Sequence, residues 1–177
     1  MKKITLFVCL LVSGITFAQE KTVEETPEFP QDVNKKHEVK INALSLLVAK
    51  WIDVSYEKLI DEESSFGVSV TLNTDTEETD LKYSLTPYYR RYFSEKFARG
   101  FFVEGFGMLF SAKDRGFFGS GSNQFESGFA MGVSVGGKFV SKKGFTTELL
   151  LGVGRNFADS DYNEAVGRIG ISVGYRF

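Results

Sequence analysis

From about residue 37 onward the chain consists of short runs in which apolar side chains take every second position. Phe66, Val68, Val70 and Leu72 alternate with Gly67, Ser69, Thr71 and Asn73. Phe129, Met131, Val133 and Val135 alternate with Ala130, Gly132, Ser134 and Gly136, and Thr147, Leu149, Leu151 and Val153 with Glu148, Leu150, Gly152 and Gly154. The last run sets Ile169, Ile171, Val173, Tyr175 and Phe177 against Arg168, Gly170, Ser172, Gly174 and Arg176; a shorter one sets Ile52, Val54 and Tyr56 against Asp53, Ser55 and Glu57. A period of two is that of a β-strand with one apolar face. Three runs are less regular. Residues 39–48 are apolar on both faces near Leu46 and Leu47, and 82–93 contain Pro87, which cannot donate to a ladder. In 101–110 the phase is ambiguous; Glu104 is taken as inward, with Val103 and Leu109 outward. Together these runs predict about eight strands, the smallest common size of a membrane barrel.

The tetrapeptide GVSV occurs at 67–70 and 132–135, and GISV at 170–173. Its irregular spacing is not that of a solenoid repeat, so it reads as one local solution used three times. The connections differ in kind. DEESS (61–65), SEKFARG (94–100) and SKKG (141–144) are short to medium, whereas TDTEETD (74–80), KDRGFFGSGSNQFES (113–127) and ADSDYNE (158–164) are longer, more acidic or richer in Gly, Ser and Asn. That asymmetry is expected of an outer-membrane barrel. The link near Ala49-Lys50 is expected to be very short and to break the trend.

Alternation alone does not say which face is wet. A soluble lipocalin-like barrel turns its apolar residues inward; a membrane barrel turns them outward. A solvated outer face is dense in Lys, Glu and Asp. Here the polar face is mainly Gly, Ser, Thr and Ala with the isolated charges Arg90, Lys138, Glu148, Arg168 and Arg176, and Tyr56, Tyr89, Tyr175 and Phe177 lie near strand ends. Small residues with a few mixed charges suit a narrow lumen, and aromatics at strand ends suit interfacial girdles. The fold class expected is all-β, an eight-stranded antiparallel up-and-down transmembrane β-barrel.

The start of the chain changes the picture of where the protein goes. Lys2 and Lys3, an apolar stretch over 4–17 and Thr16-Phe17-Ala18 have the layout of a secretory signal, so residues 1–18 are expected to be removed. Residues 19–36, polar and acidic with Pro27 and Pro30, read as a flexible periplasmic leader, and 37–177 as the barrel. Cys9, the only cysteine, lies in the signal, which excludes disulfides and thiolate chemistry from the mature chain. The whole chain has 21 basic and 23 acidic residues; without Lys2 and Lys3 the net charge is −4, no footprint for nucleic acid.

Candidate chemistry is sparse. His37, the one histidine, opens the first strand with no triad partner evident. The carboxylates Asp75, Glu77, Glu78 and Asp80, and Asp159, Asp161 and Glu164, crowd two loops without an EF-hand frame. The GSG at 119–121 sits within a loop, not between strand and helix. No catalytic, cofactor or metal site is therefore expected. The inward charges Arg90, Glu104, Lys138, Glu148, Arg168 and Arg176 are more informative, because buried charges must pair or meet water. They form either a salt-bridge plug or the lining of a narrow pore, and an eight-stranded lumen is only wide enough for side chains.

Ile171, Val173, Tyr175 and the terminal Phe177 look like the C-terminal signal read by the outer-membrane assembly machinery. With Lys40-Ile41-Asn42, Tyr56-Glu57, the run PYYRRYF at 87–93 and GFFVEG at 100–105, the chain resembles a family of small bacterial outer-membrane β-barrel proteins of unknown function, allied to the eight-stranded OmpA/OmpX-like barrels. The resemblance implies a fold and a place, with outer-membrane lipids, lipopolysaccharide and the assembly machinery as partners of a monomer, and implies no activity. The function expected is a non-enzymatic structural or surface-interaction role in the envelope; the rivals are a narrow channel for small solutes or ions and a secreted lipocalin-like carrier.

Overall fold

The computed structural model describes residues 34–74, 81–113, 125–157 and 165–177. The expected signal at 1–18, most of the leader at 19–36, both acidic loop clusters and the GSG lie outside the described residues. Eight strands follow one another: β1 (His37–Asn42), β2 (Trp51–Leu59), β3 (Ser64–Asn73), β4 (Leu81–Tyr92), β5 (Gly100–Lys113), β6 (Phe125–Val140), β7 (Phe145–Asn156) and β8 (Ala165–Arg176). Each pairs antiparallel with its neighbour, and β8 returns to β1, closing the barrel. The closing register pairs Val39 with Tyr175, Lys40 with Gly174 and Ile41 with Val173. Closure removes the open edge that every other sheet must protect.

The short link expected after the first strand is instead a helix, α1 (Ala43–Ala49). The Asn42 side chain accepts from the Ser45 amide, and Lys50 closes the helix in the left-handed region at φ 55°. The run 39–48 therefore crosses from strand to helix, which is why its apolar residues fall on both faces: Leu46 and Leu47 belong to α1, and Leu47 is 81% exposed. Pro87 sits within β4, opposite Val68 of β3. On its other side the pairing with β5 breaks after Leu85–Leu109 and resumes at Tyr88–Phe106, so the missing donor falls in a gap of the ladder. The turn after β6 closes through Gly144, whose φ of 92° would strain any residue with a Cβ.

The two faces are sorted without mixture along most strands. Val133, Leu151, Val153 and Ile169 point outward and are exposed, Val153 by 66%, while the residues between them point inward. Outward aromatics gather at both rims: Phe93 meets Phe101 and Phe145 meets Tyr175 at one, Phe129 meets Phe157 at the other. Val103 and Leu109 lie on the outward face and Glu104 is buried inside. The core is the lumen. Leu59, Tyr92, Ala98 and Phe102 pack near the end that holds both termini of the barrel, and Tyr88, Phe106, Met108 and Ala130 pack further in.

The recurring tetrapeptide now has a cause. In each copy the Gly and Ser face inward and the apolar pair outward. A Cβ on Gly67 would overlap the Tyr88 ring and stand 2.7 Å from the Tyr56 carbonyl oxygen; one on Gly132 would stand 2.6 Å from Phe106 Cζ. The serines of the first two copies donate to lumen carboxylates, Ser69 to Asp53 and Ser134 to Glu104. A narrow barrel that holds aromatic rings inside needs a small residue across from each ring, since interiors pack at crystal density.

Candidate functional site

The inward polar positions converge on one chain of ion pairs across the lumen. Its centre is Arg90 on β4. Its Nε donates to Glu104 at 2.7 Å, its Nη1 to Glu57 at 2.9 Å, and its Nη1 and Nη2 grip both oxygens of Glu148 at 2.6 and 2.8 Å. The guanidinium lies 4.4 Å from the ring centres of both Tyr88 and Phe102, a cation–π sandwich that holds its plane. Bidentate, charge-assisted bonds are the strong kind and fix geometry as well as charge.

From this centre the chain runs both ways. Lys40 bonds Glu57 and, at 2.8 Å, Glu148. Lys138 bonds Glu57 at 2.7 Å and Glu38 at 2.8 Å, and Glu38 takes Arg176 Nε at 2.7 Å. On the other side Glu104 also binds Arg168. Neutral groups fill the remaining acceptor positions: Ser65 and Tyr92 each donate to Glu57 at 2.6 Å, and Ser134 donates to Glu104 at 3.1 Å. With Ser65 counted, all eight strands contribute a side chain. Single strands cannot satisfy such charges; only closure brings acids of β1, β2, β5 and β7 against bases of β1, β4, β6 and β8.

The barrel end where β1 begins and β8 ends is covered by a turn. The turn between β4 and β5 folds under the barrel, burying Ala98 and Arg99. Arg176, with no exposure at all, donates to the carbonyls of Phe97 at 3.3 Å and Ala98 at 2.8 Å. At the same rim His37 stacks between Tyr56 and Phe177, its Nδ1 2.6 Å from the Tyr56 hydroxyl. The terminal Phe177 exchanges backbone bonds with His37, 3.0 Å in one direction and 2.8 Å in the other.

All six charges singled out in the sequence, Arg90, Glu104, Lys138, Glu148, Arg168 and Arg176, stand in this one network. Ile171, Val173 and Tyr175 form an outward row on β8, and Phe177, the next residue after the strand, is 51% exposed. The sequence reading missed Glu38, Lys40 and Glu57. A signal for the first two was present, since they alternate with Val39 and Ile41, but reading 39–48 as one strand hid the phase. Glu57 stands on the polar face of the run 52–57, where the alternation already turns it inward. Among the described residues no three His, Cys, Asp or Glu side chains are grouped to hold a metal ion.

The model of a family described as protein of unknown function (DUF3575) matches residues 6–168 of the chain. No curated protein matches it. Among solved structures, the backbone structure of the Yersinia pestis outer membrane protein Ail in a phospholipid bilayer nanodisc is similar at 16% identity, covering 81% of this chain and 100% of that one, with a TM-score of 0.43.

Proposed function

The chain belongs to DUF3575, a family of proteins of unknown function, and within it we propose that this member is a non-enzymatic barrel of the bacterial outer membrane, exported by residues 1–18, with a structural or surface-interaction role in the envelope. One observation carries the reading: the barrel is inside out for water. Its exposed face is Val, Ile, Leu, Met and Phe, and its buried face holds the charges. Contiguous apolar surface beyond a few hundred Å² is rare on soluble monomers. In lipid, a closed barrel is one of only two backbones that can span, because every N–H and C=O is satisfied internally.

The non-enzymatic part of the proposal is supported by how the buried charges are used. Arg90, Glu57, Glu104 and Glu148 spend their bonding capacity on one another and on Ser65, Ser134 and Tyr92. His37 is held by Tyr56 and Phe177. Such groups brace the wall and plug the lumen. Cell fractionation tests the reading. The protein is expected in the outer-membrane fraction, released by detergent and retained through high salt and osmotic shock. Release by osmotic shock alone would overturn it and favour a secreted carrier.

A further inference from the structure

Among the described residues, the half of the lumen nearer α1 is not filled. A cavity of about 600 Å³ lies there, within the range of small-molecule sites. Its lining is two-sided. Ser69, Thr71, Ser84 and Thr86 of β3 and β4 bring hydroxyls to one wall; Met108, Phe110, Leu150 and Val166 of β5, β7 and β8 make the other apolar. Arg168 borders the cavity and differs from the other lumen cations. Its side chain is 14% exposed, while those of Lys40, Arg90, Lys138 and Arg176 are 2% or less. It binds one oxygen of Glu104 and lies 4.7 Å from the Phe106 ring centre, which among the described residues leaves most of its five N–H donors unspent.

From this geometry we propose that the cavity is a binding site for a small amphipathic organic anion. Its carboxylate, or a like monoanionic head, takes the spare donors of Arg168, and its apolar body lies along Phe110, Leu150 and Val166. Asp53, Glu148 and Arg90 also border the cavity, but the two Asp53 oxygens already accept from Ser69 and from the Asn42 amide, Glu148 and Arg90 are bound to each other, and Arg168 is the group with donors to offer. An apolar pocket with one fixed charge sets both affinity and orientation.

Trp51 lines the same cavity and is the only tryptophan of the chain, so its fluorescence reports on occupancy. The full chain in lipid nanodiscs is titrated with octanoate, 1-octanol and octylamine at pH 8. A saturable change with octanoate is expected, with octanol and octylamine each at least about tenfold weaker, the scale of one charge-assisted bond. Arg168→Gln should weaken octanoate about tenfold and leave octanol unchanged. Val166→Phe, which fills the apolar wall, should weaken both. A change that never saturates, or that is the same in the parent and both variants, is partition into the bilayer and overturns the site. Preference for octylamine would put the head on Asp53 and overturn the anion assignment, as would octanol binding as well as octanoate. Should Arg168→Gln fail to give a folded barrel, Val166→Phe and the ligand order decide.

Discussion

Arg90 is the side chain on which three of the lumen carboxylates meet. Glu148 is bound by both of its terminal nitrogens and by Lys40, all three side chains being almost wholly buried. Glu148→Leu removes the acid and leaves two almost wholly buried cations short of a partner. Removing one member of a buried pair costs about 3–5 kcal/mol, so unfolding in detergent should shift by that amount. An unchanged midpoint would mean that water replaces the carboxylate. The glycines make a second prediction at this scale. A Cβ on Gly132 would overlap the Val153 carbonyl oxygen and stand 2.5 Å from Gly154 Cα and 2.6 Å from Phe106 Cζ, whereas around Gly137 nothing lies within 4 Å. Gly132→Ala should destabilise by about 1–3 kcal/mol through overpacking. Gly137→Ala should leave the unfolding midpoint near that of the parent.

At the scale of elements, turns and seam carry the consequences. In the turn between β2 and β3 the Ser64 hydroxyl donates to Asp61 at 2.7 Å and the Glu63 amide at 2.9 Å, and these bonds hold the Asp61 carboxyl below its ordinary pKa. A depressed folded pKa stabilises at pH values above the unfolded value of about 3.9, and the gain is lost as pH falls through the folded value. Asp61→Asn should therefore lower stability at neutral pH, and the gap to the parent should close in acid; a pH series of denaturant midpoints checks this. The seam between β1 and β8 ends in the backbone pair of His37 and Phe177. Deleting Phe177 takes away that pair and one exposed ring, a modest loss for refolding in detergent. If Ile171, Val173, Tyr175 and Phe177 are the assembly signal, the amount reaching the outer membrane should fall far more. Normal outer-membrane levels of the deletion variant, measured by immunoblot of membrane fractions, would sink that role.

For the whole molecule the decisive property is closure. Every strand has two neighbours, so detergent finds no edge at which to begin. Unboiled samples in SDS should migrate apart from boiled ones, as a compact species, and convert on heating. Identical migration of the two would argue against a closed barrel that survives outside the membrane. Plugging belongs to this scale too. The β4–β5 turn lies under one end and the Arg90 network across the middle, and the cavity lies toward α1.

What the sequence by itself determined is local and periodic. A period of two writes the strand and its faces directly into the order of residues, so β3, β6, β7 and β8 and the inward phase of Arg90, Lys138, Glu148, Arg168 and Arg176 are legible without coordinates. The small residues of that face further tell that it is the inside of something narrow. Tertiary structure alone decided who meets whom. Glu38 and Lys138 stand one hundred residues apart, and Glu104 and Arg168 sixty-four; their pairing depends on closure and register, which no run contains. The helix α1 was hidden for a related reason. Seven residues are too few to display a 3.6 period against the strand that precedes them, and the helix is held by the Asn42 cap and by its packing on β2 and β8 rather than by its own pattern.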